Sequence, residues 1–196
     1  MARSVAWPRL GRKFQQALRY VHRLHRGQYR KRTRIPYIGH LLVVAGLVLE
    51  YGGDEDLAIA ALLHDAVEDQ GGRKTLAQIR RRFGGRVASI VGECSDRLTV
   101  RKSPWRVRKE TYLTHLRTAS EGALLVSLAD KVHNASTIVK DLHRVGDRVW
   151  SRFGGGKAGT LWYYRRLVDT FRQTTAPADL VGELARRVSQ MHRLAR

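Results

Sequence analysis

Asp54–Asp69 reads DEDLAIAALLHDAVED. Asp54 has the residue type that caps a helix N-terminus, and the run of Leu, Ala and Ile after it makes a helix that is apolar on nearly every side. Such a helix belongs in a protein interior. It ends in His64, Asp65, Glu68 and Asp69, before Gly71 and Gly72 stop it. Read as one continuous helix, His64 with Glu68 and Asp65 with Asp69 stand four residues apart on shared faces. Ionisable groups beside an apolar core cost several kcal/mol each unless they are paired or ligate a metal.

The same helical spacing runs outward in both directions. Tyr37–Tyr51 forms a second buried helix that opens near Pro36 and closes at Gly52 and Gly53. Thr75–Phe83 is a short amphipathic helix. Another runs from Pro104 to Leu116, since proline is tolerated in a first turn. Ala123–Leu142 is long and largely buried. Gly154–Gly156 separates it from the helix GTLWYYRRLVDTF, and a last helix with a basic outer face runs from Pro177 to the C-terminus. No run alternates with the period of a strand, so the fold class is all-α.

Composition limits the function. The 196 residues hold 37 Lys or Arg against 17 Asp or Glu, a net charge of +20, with 43% hydrophobic residues. The length suits one domain covering 1–196, with its core at about 20–175 and a basic C-terminal helix at 177–196. The apolar content supports a core, and the charge points to an anionic partner: nucleic acid, phosphorylated metabolite or membrane surface. A single cysteine, Cys94, excludes a disulfide framework and a multi-thiolate zinc site and suits a reducing compartment, so a cytoplasmic location is expected. The longest apolar stretch, Leu41–Leu49, falls short of the roughly 20 residues of a membrane span. Residues 1–13, MARSVAWPRLGRK, lead into no apolar segment of a secretory signal.

A helix end alone cannot complete a metal site. His40 lies one turn into the preceding helix and Asp130 lies mid-helix among apolar residues. His40, His64, Asp65 and Asp130 give two imidazoles and two carboxylates, a donor set for Mn, Fe or Zn with positions left for an acidified water. Glu68 and Asp69 stand one turn further on, placed to orient that water or move protons. His22, His25, His115, His143 and His192 lie in basic or amphipathic surroundings and read as ordinary histidines.

Three segments together carry a resemblance: IPYIGH (35–40), ALLHDAVED (61–69) and LADKVHN (128–134). Their H…HD…D layout is similar to the HD-domain metal-dependent phosphohydrolases. The fuller pattern over about residues 20–175 resembles the RelA/SpoT-type branch, in particular its small stand-alone alarmone hydrolases. That resemblance implies an all-α bundle of about ten helices, one Mn²⁺, and removal of the 3′-pyrophosphate from guanosine tetra- or pentaphosphate. It implies His40, His64, Asp65 and Asp130 as metal ligands, Glu68 and Asp69 as the water-activating pair, and Asn134 as a nucleotide contact.

The family's Arg-Lys pair against the guanine base corresponds here to Arg30–Lys31, which keeps the order, or to Lys31–Arg32, which keeps the spacing. A solvated basic loop is the plain structural reading of the same residues. Arg106 and Lys109 share a helix face where a polyphosphate would need them, and Lys157 and Tyr164 fall in a region where the family brings a tyrosine to substrate. The chain has no room for the synthetase domain of the long members, so the activity implied is hydrolysis alone. Two other readings stay open: an HD hydrolase of another nucleotide or a phosphorylated redox cofactor, and a nucleic-acid-binding protein on an HD scaffold. The sequence sets no oligomeric state.

Overall fold

The computed structural model describes residues 9–95 and 103–196; residues 1–8, part of the segment read as lacking a secretory signal, lie outside them. Ten α-helices are described: α1 (Arg12–Leu24), α2 (Ile38–Glu50), α3 (Glu55–Leu63), α4 (Ala66–Asp69), α5 (Arg73–Phe83), α6 (Gly85–Cys94), α7 (Trp105–Leu116), α8 (Glu121–Val145), α9 (Gly156–Phe171) and α10 (Ala178–Leu194). A 3₁₀ helix, Gly146–Arg152, follows α8. Among the described residues the only β pairing is an isolated bridge between Tyr29 and Pro36, which pins the loop before α2.

The helix starts follow local chemistry. Asp54 accepts a hydrogen bond from the Leu57 amide at 3.0 Å, as its residue type predicts. Its neighbour Glu55 serves a different helix: its carboxylate accepts from the amides of Gly11 at 2.6 Å and Phe14 at 3.3 Å, at the start of α1. A carboxylate there satisfies two of the free amides of the first turn and meets the positive end of the helix dipole. Ser120 opens α8 by accepting from Ala123, and Glu93 holds the Ser120 amide at 2.8 Å.

Tertiary packing centres on α8. Its 25 residues pack against α2, α3, α6, α9 and α10, and Val126, Leu128 and Ala129 are fully enclosed. Burial of that many apolar side chains, worth about 1.5–3 kcal/mol for each of the larger ones, is what fixes α8 as the axis of the bundle. The turn after α2 is fixed by contact: a Cβ on Gly53 would stand 2.5 Å from Val48, so only glycine fits. No helix among the described residues is long and apolar enough to cross a membrane.

Two local readings change. The sequence suggests one helix from Asp54 to Gln70, but the chain breaks at His64–Asp65, with Asp65 at φ −92° and ψ −6°. The last carbonyls of α3 need donors, and His64 Nδ1–H donates to Ala61 O at 2.7 Å. The break swings the carboxylates after His64 away from a simple α-helical register. The helices α1 and α6 were not delimited from the sequence; arginines crowd the outer face of α1, and α6 begins directly on Gly84–Gly85, a pair that reads as a stop.

Candidate metal centre

The break between α3 and α4, the first turn of α2 and the middle of α8 meet at one point. His40, His64 and Asp65 each present a ligand atom within 4.8 Å of the others. His40 Nε2 lies 3.2 Å from Asp130 Oδ1 and 3.6 Å from Asp65 Oδ2. His64 Nε2 lies 3.1 Å from Asp65 Oδ2 and 3.6 Å from Asp130 Oδ1. His40 is 2% exposed, His64 4% and Asp130 5%. Despite these distances, neither Nε2 has a hydrogen bond of acceptable alignment, so two buried ring nitrogens are orphaned at the same point.

Electrostatics explain what would satisfy them. Burial disfavours a charged His64, but the Asp65 and Asp130 carboxylates outweigh it and hold the imidazole well above its ordinary value. Burial opposes the Asp65 charge too; His64 and His40 overcome it and hold Asp65 well below the usual carboxylate range. Lys131 and the two histidines do the same for Asp130. The site therefore calls for positive charge between two carboxylates and two imidazoles. A divalent cation supplies it while using Nε2 as a lone-pair ligand, so the donor set fits a metal.

Neighbouring side chains orient these four. His64 Nδ1 is occupied by Ala61 O, which leaves Nε2 as the ring atom available to a metal. His40 Nδ1 lies 2.6 Å from His133 Nδ1, with the rings stacked at 4.9 Å. Burial and the neighbouring His40 push His133 down to about 4, so it is neutral and accepts the His40 proton. Tyr37 donates to Asp65 Oδ2 at 2.5 Å. Asp130 receives Lys131 on Oδ2 and Asn134 Nδ2 on Oδ1, each at 2.5 Å. These partners fix ring and carboxylate orientations as the outer shell of a metal site does.

A cavity of about 390 Å³ opens beside the cluster, lined by His64, Asp65, Glu68, Cys94, Lys109, Tyr112, Ser127, Asp130, Lys131 and Tyr163. Lys131 stays charged there: burial opposes it, but Asp130 raises it well above the ordinary lysine value, and its Nζ lies 5.2 Å from the Tyr112 ring. Lys109 lies over the Tyr163 ring at 5.1 Å. Burial pushes the Cys94 thiol up to about 11, which keeps it protonated and unfit as a ligand.

The other residues singled out from sequence fall in several places. Glu68 faces the cavity, while Asp69 is exposed and accepts from Gln28 Nε2 at 2.7 Å. Arg30 donates to Asn134 Oδ1 at 2.6 Å and sits 5.7 Å from the Tyr37 ring, which ties the loop before α2 to α8. Lys31 is exposed, and Arg32 reaches Ser151. Arg106 and Lys109 both face α9, but only Lys109 lines the cavity; Arg106 lies over the Trp162 ring at 3.2 Å and pairs with Glu110. Lys157 pairs with Asp147 outside the cavity. Tyr164 is buried, and its neighbour Tyr163 forms the wall.

Sequence reasoning did not single out Tyr37, Lys131, His133, Gln28 or Tyr163. Three of them carried a readable signal. Tyr37 stands three residues before His40, and Lys131 and His133 fall within the same LADKVHN segment as Asp130.

A family model described as the HD domain matches residues 17–161. The chain belongs to the HD-domain family. This HD-domain protein is 38% identical over 139 residues to the Xenopus tropicalis protein named guanosine-3′,5′-bis(diphosphate) 3′-pyrophosphohydrolase MESH1, covering 69% of this chain and 73% of that one. The Homo sapiens protein of the same name is 37% identical with the same coverage. Among solved structures, one described as a metazoan ortholog of SpoT that hydrolyzes ppGpp superposes with a TM-score of 0.74 at 27% identity, over 92% of this chain and 96% of that one. The Listeria monocytogenes protein lmo0812 gives 0.68 at 30% identity, over 79% and 99%.

Proposed function

We propose that this HD-domain protein hydrolyses guanosine tetra- and pentaphosphate, removing the 3′-pyrophosphate, with Mn²⁺ as its metal. The observation that carries the proposal is the pair of orphaned Nε2 atoms of His40 and His64, set against Asp65 and Asp130 at the edge of a cavity with two lysines in its wall. The relatives' names support the substrate.

His40, His64, Asp65 and Asp130 would hold the cation, which supplies Lewis-acid polarisation of phosphate oxygens and of water. Glu68, on the cavity wall, takes the proton from the attacking water. The water oxygen bonds to the phosphorus next to the ribose 3′-oxygen, that P–O bond breaks, and the 3′-oxygen leaves with a proton. Guanosine tetraphosphate plus water thus gives guanosine diphosphate and pyrophosphate. Lys109 and Lys131 face the charge that develops on the phosphoryl oxygens, where fixed cations in a low-dielectric wall act most strongly. Arg30, held by Asn134 and Tyr37, would contact the base. Asp69 acts at one remove, through Gln28, by holding the loop that carries Arg30. Lys31, Arg32, Arg106, Lys157 and Tyr164 surround this arrangement without lining the cavity.

The reading further takes residues 1–196 as one domain, the cytoplasm as its compartment and the starvation (stringent) response as its setting. The test is direct. Purified protein with Mn²⁺ releases pyrophosphate from guanosine tetraphosphate, and Asp65→Ala abolishes the release. Equal or faster cleavage of other nucleotides or of phosphorylated redox cofactors would overturn the substrate assignment.

A further inference from the structure

The charge of the chain is not spent at the metal centre. The helix α1 carries Arg12, Lys13, Arg19 and Arg23, and α5 carries Arg73, Lys74, Arg80, Arg81 and Arg82; neither helix holds an Asp or Glu. All of these except Lys13 are exposed. Lys13 pairs with Asp56. Among the described residues the other eight make no ion pair. Elsewhere on the protein arginines do find carboxylates, as Arg86 does with Asp54 and Asp56, and Arg187 with Glu183.

The two helices are bridged by Tyr20. Its hydroxyl donates to Gln78 at 3.0 Å, its ring meets Phe83 at 5.7 Å, and Arg82 lies over it at 5.1 Å. Between them runs a groove of about 580 Å³, floored by Phe83 and walled by Gln16, Arg19, Arg23 and Arg82. Gln16, Arg19 and Arg23 fall on one face of α1, at spacings of three and four residues. This groove shares no lining residue with the catalytic cavity.

We propose that the α1–α5 groove is a binding surface for the phosphodiester backbone of nucleic acid. The cations are spread along helices about 16 and 20 Å long, by rise per residue. An array of that length suits a polyanion, whereas a lone phosphate needs a compact socket. The groove has none: its three arginines are exposed, and the one buried side chain in its wall, Phe83, is apolar. An anionic membrane would demand apolar side chains able to insert beside the charges. Among the described residues the large exposed apolar ones are Leu10, Tyr29, Ile35, Leu42, Val43, Val107 and Leu194, and none lies on α1 or α5. No Phe, Tyr or Trp ring is exposed on either helix and the one exposed ring is the His22 imidazole, so recognition is chiefly by backbone charge and is independent of sequence. RNA and DNA offer the same chemistry.

The experiment is fluorescence anisotropy of the full chain with labelled RNA and DNA oligonucleotides, between about 50 and about 200 mM salt. Arg19→Gln/Arg23→Gln/Arg82→Gln is expected to weaken binding about tenfold or more and to make the log-affinity against log-salt slope shallower by about three. Pyrophosphate release and thermal stability stay unchanged. The control is Arg165→Gln/Arg166→Gln/Arg186→Gln, which removes equal charge from exposed positions on α9 and α10. An equal loss in the control would show bulk charge rather than a surface and would overturn the proposal. Binding to phosphatidylserine vesicles through the same arginines, without binding to either oligonucleotide, would overturn it as well. Should loss of the Arg82–Tyr20 contact unfold the triple variant, Arg19→Gln/Arg23→Gln serves, with a slope change of about two. Whichever polymer binds more tightly identifies the physiological source of the backbone and supports the proposal.

Discussion

The Nδ1 atoms of His40 and His133 stand 2.6 Å apart with their rings stacked, so His133 fixes which nitrogen of His40 faces the two carboxylates. His133 touches neither carboxylate, yet it supplies the hydrogen-bond partner that sets the His40 ring orientation. His133→Ala is expected to lower metal affinity about 10–100-fold while leaving the fold intact. His133→Asn keeps an acceptor at that point and recovers part of the loss. Calorimetric titration of the metal-free protein with Mn²⁺ checks this; an unchanged affinity in His133→Ala would sink it.

Metal removal should be visible as lost stability. A cation present at a hundred times its dissociation constant stabilises the folded state by about 2.7 kcal/mol, which for a chain of this size raises the melting temperature by about 5–10 °C. Adding a chelator should reverse that shift. Asp65→Ala should melt at the same temperature with and without Mn²⁺. A persistent Mn²⁺ shift in that variant would mean that the cation binds elsewhere.

Asp54 ties stability to pH. Burial works against its charge, but the Leu57 amide and the Arg86 guanidinium, at 2.6 Å, overcome it and lower the carboxyl below its ordinary value. A carboxyl depressed in the folded state stabilises above its unfolded pKa, and the contribution is lost as pH falls through the folded one. Asp54→Ala should therefore cost about 1 kcal/mol at neutral pH, as lost helix caps do. Urea denaturation should show that difference shrink as pH falls below the ordinary carboxylate value of about 3.9.

Gly155 is fixed by Trp105. A Cβ on Gly155 would stand 2.6 Å from the indole ring, and neighbouring Gly154 and Gly159 also face that ring. Trp105 opens α7, which carries Lys109 into the cavity wall. Gly155→Ala is expected to destabilise by about 1–3 kcal/mol through overpacking and to raise KM for the nucleotide. Adding Trp105→Phe makes room and should restore both. Thermal melts and steady-state kinetics read the two effects separately.

The candidate metal centre was legible because its residues sit in sequence contexts that constrain them. His64 and Asp65 end a helix too apolar to lie anywhere but in the core, and Asp130 interrupts a buried run on α8. Helical periodicity also placed α2, α5, α7, α8, α9 and α10, each within a few residues of its observed ends. It did not show the break at His64–Asp65, because that break depends on an imidazole taking the Ala61 carbonyl, a choice between side chain and backbone that periodicity does not encode.

Contacts made by long polar side chains were the least legible. Arg106 and Lys109 look equivalent in sequence, but Trp162 and Glu110 hold the first and the cavity receives the second. Tyr163 and Tyr164 are adjacent, and the rotation of α9 against α7 decides which of them forms the wall. The loop before α2 looks like solvated basic sequence until Arg30 is seen on Asn134 and Gln28 on Asp69.

By itself, then, the sequence determined that the chain is helical, where its apolar faces lie and which four residues are candidates for a metal donor set, because helical spacing and the cost of burying charge can be read from residue order. Only the tertiary structure decided which side chains support that set and where the surplus charge gathers. Those depend on the angles at which α1, α2, α5, α8 and α9 pack, and packing angles are settled by residues distant in sequence.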